Sequence, residues 1–217
     1  METLKIFKCF ISSPGDCEKE REICQTVINK VNTGALATHL KINFQPFMWE
    51  YDVLPDMGRN GQEIIDEYIK KSDYDIFLGI MKNRFGHATK KAGSGTEHEF
   101  VDALKRKKDS ANSIPRILFF FGKDNVDIDN PQINDILEQR KKVKQFKTGI
   151  SNNGIYIDFD SSNIFEKALE EKLNLFISHF SPLSYTDEKI KEIDLVLKKL
   201  EEDLNESLKT YNEKSPI

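Results

Sequence analysis

The apolar positions of this chain follow two rhythms. Short, dense apolar runs recur along the first three quarters of the sequence, and between them apolar residues return every three or four places on charged segments. Dense runs bounded by Gly or Pro read as buried strands, and the 3.6-residue rhythm reads as amphipathic helix. Strands are therefore expected over residues 4–12 (LKIFKCFIS), 41–48 (KINFQPFM), 74–81 (YDIFLGIM), 114–121 (IPRILFFF) and 154–159. Helices are expected over 17–33, 60–71, 96–107, 131–146 and 163–180; the first carries Ile23, Val27, Ile28 and Val31 at helical spacing and ends at Gly34. The run at 74–81 is almost continuously apolar, as a central parallel strand covered on both faces requires.

Strands alternating with helices predict an α/β fold. The natural form is a flavodoxin-like three-layer sandwich with a five-stranded parallel sheet in the order 2-1-3-4-5. Pro46 fits that order, because a proline cannot donate to a ladder and belongs on an edge strand. Pro182 breaks the chain, and residues 185–212 predict one more charged helix. Ile190, Ile193, Leu197, Leu200, Leu204 and Tyr211 form a narrow seam along it. The organisation expected is a domain over 1–182 and a C-terminal amphipathic, coiled-coil-like helix within 183–217. That helix either packs on the domain or joins a second copy or a partner protein.

Composition trims the possibilities. The chain is 38% hydrophobic and 31% charged, with a net charge of −4. Net acidity argues against nonspecific nucleic-acid binding, and the run Lys105-Arg106-Lys107-Lys108 falls at a helix end, where cations suit the macrodipole. Cys9, Cys17 and Cys24 form no CxxC pair and no Cys/His ligand spacing, so neither a metal nor a disulfide framework is expected. The N-terminus is too polar and too short for a signal peptide, and no run reaches the ~18 apolar residues that span a bilayer. A cytoplasmic protein with no membrane or nucleic-acid partner and no cofactor is the expectation.

Ligands of such sheets bind beyond the carboxyl ends of the strands, where the strand order reverses. Here that crevice lies between the first and third strands. The loops exposed there are 11–16 (ISSPGD) and 82–86 (KNRFG), with 49–52 (WEYD) as neighbour. They bring together the chain's one tryptophan, cations, carboxylates and hydroxyls, the mixture that a small-molecule site uses. Ser12 and Ser13 either contact a ligand or cap the first helix, as Asp16 also could. Arg84 either meets a phosphate or satisfies a carboxylate. No GxGxxG, Walker loop or GxSxG elbow is present, which disfavours dinucleotide-fingerprint, P-loop and α/β-hydrolase chemistry.

The segment 94–100 (SGTEHEF) is the most specific signal. Ser94 with Glu97 makes one capping box, and Thr96 with Glu99 makes another. If Ser94 caps, Glu97 reaches back to the cap and Glu99 lies one turn in, without capping duty. If Thr96 caps, Glu99 is a structural glutamate. The residues alone leave both open. His98 reads as a polar surface residue.

Phe10-Ile11-Ser12-Ser13-Pro14-Gly15-Asp16 with Glu20-Arg21-Glu22 resembles the opening of a bacterial domain family related to Toll/interleukin-1 receptor (TIR) domains. Trp49-Glu50, Pro55, Gly58, Gln62 and Ile64, the run 73–86 (DYDIFLGIMKNRFG), and Ser94-Gly95-Thr96-Glu97-x-Glu99-Phe100-x-x-Ala103 extend the likeness over about residues 4–122. The resemblance implies cleavage of NAD at the nicotinamide–ribose bond, to nicotinamide and ADP-ribose or a cyclic isomer. It selects Glu99 over Glu97 as the catalytic glutamate, since Glu99 is followed by an apolar residue and by Ala103 four places on. Under that reading Phe10, Ser12, Ser13, Trp49, Asp52, Lys82, Arg84 and Phe85 line the substrate. Trp49 or Phe85 stacks on a flat ring, and Lys82 or Arg84 holds the pyrophosphate.

NAD is then substrate rather than cofactor. A role in antiphage defence signalling, with self-association or a sensor or effector partner, is implied. The stretch 51–61 departs from the family's assembly loop, with its own Pro-Asp-Met-Gly sequence. Two further readings stand beside this one: a noncatalytic TIR-like assembly module, and a nucleoside deoxyribosyltransferase-like enzyme, which has a related fold and a similarly placed glutamate.

Overall fold

The computed structural model describes residues 3–48, 72–89, 92–111, 114–151 and 154–179, together with Asp52, Ile64, Glu67, Tyr68, Ile69 and Lys198. The chain divides into two compact units, Met1–His179 and Phe180–Ile217. Of the second only Lys198 is described, so the expected helix over 185–212 lies outside the described residues. The expected helix over 60–71 does too, apart from single helical residues such as Ile64 and Ile69.

Five parallel strands build the first unit: β1 (Lys5–Ser12), β2 (Ile42–Phe47), β3 (Ile76–Met81), β4 (Arg116–Gly122) and β5 (Ile157–Phe159). Their order is β2-β1-β3-β4-β5, the flavodoxin-like arrangement. β2 is an edge strand and Pro46 lies opposite Cys9, where its missing N–H leaves the ladder to β1 intact. All six residues of β3 are buried, in keeping with its central place.

The period-two alternation of the strands sorts the core into two layers. Cys9, Ile11, Phe44, Leu78, Ile80 and Phe120 face one side. There they meet α1 (Glu18–Thr33) and α5 (Ser162–Ser178) through Cys24, Val27, Ile28, Leu169 and Leu173. Phe10, Phe77, Met81, Phe119 and Phe121 face the other side, under α3 (Gly95–Asp109) and α4 (Ile133–Ile150). Phe119 and Phe121 stack at 4.8 Å, and Phe100 of α3 meets the Phe119 ring edge-on at 5.4 Å. Gly79 makes room for this stack: a Cβ there would come within 2.4 Å of the Phe119 ring.

Several boundaries differ from the sequence reading. A short helix, α2 (Ala35–Leu40), fills the stretch between Gly34 and β2. At six residues it spans less than two turns, too few for a periodic signal. β5 is only three residues long, because Gly154 takes a positive φ of 155° and Ile155 points into solvent at 96% exposure. α4 runs a turn further than expected, burying Ile150. Among the described residues no helix is long and apolar enough to cross a membrane.

Candidate functional site

β1 ends at Ser12 on the face that carries Phe10, so the Ser12 hydroxyl points under α3 rather than toward α1. From above, α3 presents Thr96, Glu99, Phe100 and Ala103, the i, i+3, i+4, i+7 stripe that faces the sheet. Phe100 anchors this helix between Phe119 and Phe146, and the fully buried Ala103 has no bulk to hold it away. The two elements bring Ser12, 0% exposed, against Glu99, 5% exposed. The Ser12 Oγ donates to Glu99 Oε2 at 2.5 Å. A carboxylate on the apolar stripe of a helix loses several kcal/mol of hydration unless partners replace the water, and a charge-assisted hydrogen bond recovers part of this.

The helix start decides between the two capping boxes. Ser94 is the N-cap, in extended conformation, and its Oγ accepts the Glu97 N–H at 3.1 Å. The Glu97 carboxylate accepts the Gly93 N–H at 2.6 Å, one residue ahead of the cap. Capping therefore falls to Ser94 and Glu97, and Glu99 begins the second turn outside that duty. His98 departs from its expected surface position: it is 4% exposed, with Nε2 at 3.4 Å from the Asp102 carboxylate. It sits at the end of the first turn, beside the sheet-facing stripe.

The loop after β1 caps no helix. The 3-10 turn Gly15–Cys17 and α1 both lack a side-chain cap. Ser13 instead accepts from the Arg21 guanidinium at 2.8 Å, and the same nitrogen donates to the Pro14 carbonyl at 3.1 Å. Asp16 reaches across the crevice. Its Oδ2 accepts the backbone N–H groups of Asn83 and Arg84 at 3.0 and 2.9 Å, tying the loop after β3 to the loop after β1. Gln139 of α4 secures the next two residues, accepting from the Phe85 and Gly86 N–H groups. Gly86, at φ 100°, makes the turn that places Phe85 against Phe146.

The remaining expected residues divide. Lys82 is 9% exposed and bound by carboxylates: 3.1 Å from Glu20 and 2.8 Å from Asp124. Burial alone would lower its pKa, but the hydrogen bonds to Asp124 and Glu20 outweigh that and hold the ammonium above its ordinary value. It is thus a compensated cation. Phe10 is fully buried among Phe47, Tyr74 and Phe77, and so forms the floor beneath Ser12. Phe85 is buried in the α4 layer. Arg84 is exposed, and Asp52 is exposed with its carboxylate accepting the Met48 N–H at 2.7 Å. Trp49 lies outside the described residues, as do most of residues 51–61.

Asp16, Gln139 and Arg140 fix the site's loops without having been singled out as doing so. Arg140 donates to the Asn83 side chain at 2.8 Å and to the Asp124 carbonyl. Their partners lie far off in sequence, so no local pattern could reveal them.

Fold and site together define a doubly wound α/β domain with a buried, hydroxyl-bonded glutamate at its topological switch point. The chain belongs to the family described as Domain of unknown function (DUF4062), which matches residues 8–174. That match takes in both Ser12 and Glu99. No curated protein matches the chain.

Proposed function

We propose that this protein cleaves the nicotinamide–ribose bond of NAD, with Glu99 as the catalytic carboxylate. The observation that carries the reading is a glutamate buried on the sheet-facing stripe of α3, relieved of capping by Glu97 and held by Ser12. Carboxylates kept in costly positions at the ligand end of a parallel sheet are functional candidates on physical grounds.

The chemistry asks little else of the protein. As the C–N bond breaks, its electron pair leaves with nicotinamide, which becomes neutral and needs no general acid. Positive charge builds on the ribose ring, and a carboxylate beside it lowers the barrier by charge stabilisation or by hydrogen-bonding the ribose hydroxyls. Water then adds to give ADP-ribose, or a nitrogen of the same molecule's adenine adds to give a cyclic isomer. Ser12 is a positioning residue that fixes the carboxylate. The resemblance of the sequence motifs to TIR domains extends the proposal to defence signalling in the cytoplasm, with self-association or a sensor partner controlling turnover.

One set of incubations separates this from the other readings. The full chain at high concentration is given NAD, and in parallel a deoxynucleoside with a free base, and products are resolved by chromatography. Nicotinamide release supports the proposal. Base exchange with NAD untouched supports deoxyribosyl transfer, and inertness toward both, with a concentration-dependent increase in mass, supports an assembly module.

A further inference from the structure

A cavity of about 1010 Å³ opens beyond the carboxyl ends of β3, β4 and β5, walled on one side by α4. Lys82, Lys123, Arg140, Lys144 and Lys147 line it, against Asp158 and Asp160. A chain whose net charge is −4 thus gathers five cations and two carboxylates around one opening.

These cations are not equivalent. Lys82 is neutralised by Glu20 and Asp124, and Lys147 by Asp158. Arg140 is anchored by neutral acceptors, the Asn83 amide oxygen and the Asp124 carbonyl, and makes no ion pair among the described residues. Lys123 and Lys144 likewise have no carboxylate partner among the described residues. Two exposed ammonium groups and one held guanidinium therefore face the same space, where Asp160 is the one lining carboxylate without an ion pair among the described residues, so cations are in excess. A guanidinium oriented in advance loses less entropy when it pairs with a phosphate. Low-dielectric walls raise the local potential further, here from Phe121, Tyr156 and Phe159.

We propose that this cavity is a second ligand site, taking a phosphate-bearing ligand of nucleotide size. A lone ion would leave most of the volume empty, since ligand pockets run from ~300 to ~1,000 Å³. Neither Ser12 nor Glu99 lines it, and of the residues expected around the Glu99 site only Lys82, already held by Glu20 and Asp124, reaches its rim. The proposal stands whether or not Glu99 cleaves NAD.

The test is titration calorimetry of the full chain with ADP as probe. The proteins are wild type, the K123E/K144E double variant and Glu99→Gln. Both lysines lack ion pairs among the described residues, so their reversal leaves the fold intact, which the unfolding temperature verifies. ADP is expected to bind wild type and Glu99→Gln alike, to weaken as salt rises, and to bind the double variant at least tenfold more weakly. No binding at millimolar ADP, equal binding by the double variant, or a loss confined to Glu99→Gln would each overturn the proposal.

Discussion

At the scale of single residues, Glu99 stands where Thr96, Phe100 and Ala103 mark the face turned to the sheet, so its carboxylate depends on Ser12 for part of its solvation. Replacing Ser12 with Ala removes a buried, charge-assisted hydrogen bond of about 1.5–3 kcal/mol. Under the proposed chemistry kcat for NAD cleavage then falls about 10- to 100-fold. KM stays near its wild-type value, because Ser12 holds the carboxylate and not the substrate, and Ser12→Thr restores much of the rate. A changed KM with an unchanged kcat would make Ser12 a substrate contact instead. The sequence could name Glu99 but not free it from capping, because SGTEHEF supports two helix starts that differ by two residues. The Glu97–Gly93 hydrogen bond chooses between them. Asp16 was legible only as a possible cap, because its partners Asn83 and Arg84 lie in another loop.

At the scale of elements, α3 is a positioning device. Its N-terminus is fixed by Ser94, its underside by Phe100 and Ala103, and its last turn by Arg106, which donates to the Ser72 carbonyl and Asp73 and covers the Tyr74 ring. Ser94→Ala removes the N-cap and is expected to cost about 1 kcal/mol. Thermal unfolding should record this as a fall of roughly 2–4 °C for a domain of this size. An unchanged melting temperature would show that Glu97 alone holds the helix start. Hydrophobic rhythm was sufficient for the order of strands and helices and for the edge position of β2, since each strand's apolar alternation and Pro46 are local facts. It could not reveal α2, too short to show a period, nor that Gly154 and Ile155 leave the sheet ahead of β5. Nor could it foresee that Gly79 is spared a side chain for the Phe119 ring, a contact between strands.

At the scale of the whole molecule, the layer under α1 contains all three cysteines, each free and buried. Burial pushes their thiols well above the ordinary value of 9.0, helped by nearby carboxylates: Asp75 at Cys9, Asp16 and Glu20 at Cys17, Glu20 at Cys24. A raised folded pKa contributes stability that is complete below the unfolded value and is lost as pH climbs above it. Alkali above about pH 9 should therefore lower the unfolding free energy measured by urea titration, by about 1.4 kcal/mol per pH unit for each thiol. Cys24→Ala should flatten that slope by one thiol's share, and an equal slope in both proteins would refute the assignment. The charge layout was legible only as a net value. That the acidic chain turns a basic cavity toward the ends of β3, β4 and β5 depends on α4 and β5 meeting there, which no sequence window contains. The central claim, that Glu99 performs chemistry, is tested most directly by nicotinamide release from NAD with wild type, Glu97→Gln and Glu99→Gln at matched high concentration. Release by the first two and none by Glu99→Gln is the predicted result; equal release by wild type and Glu99→Gln would contradict it.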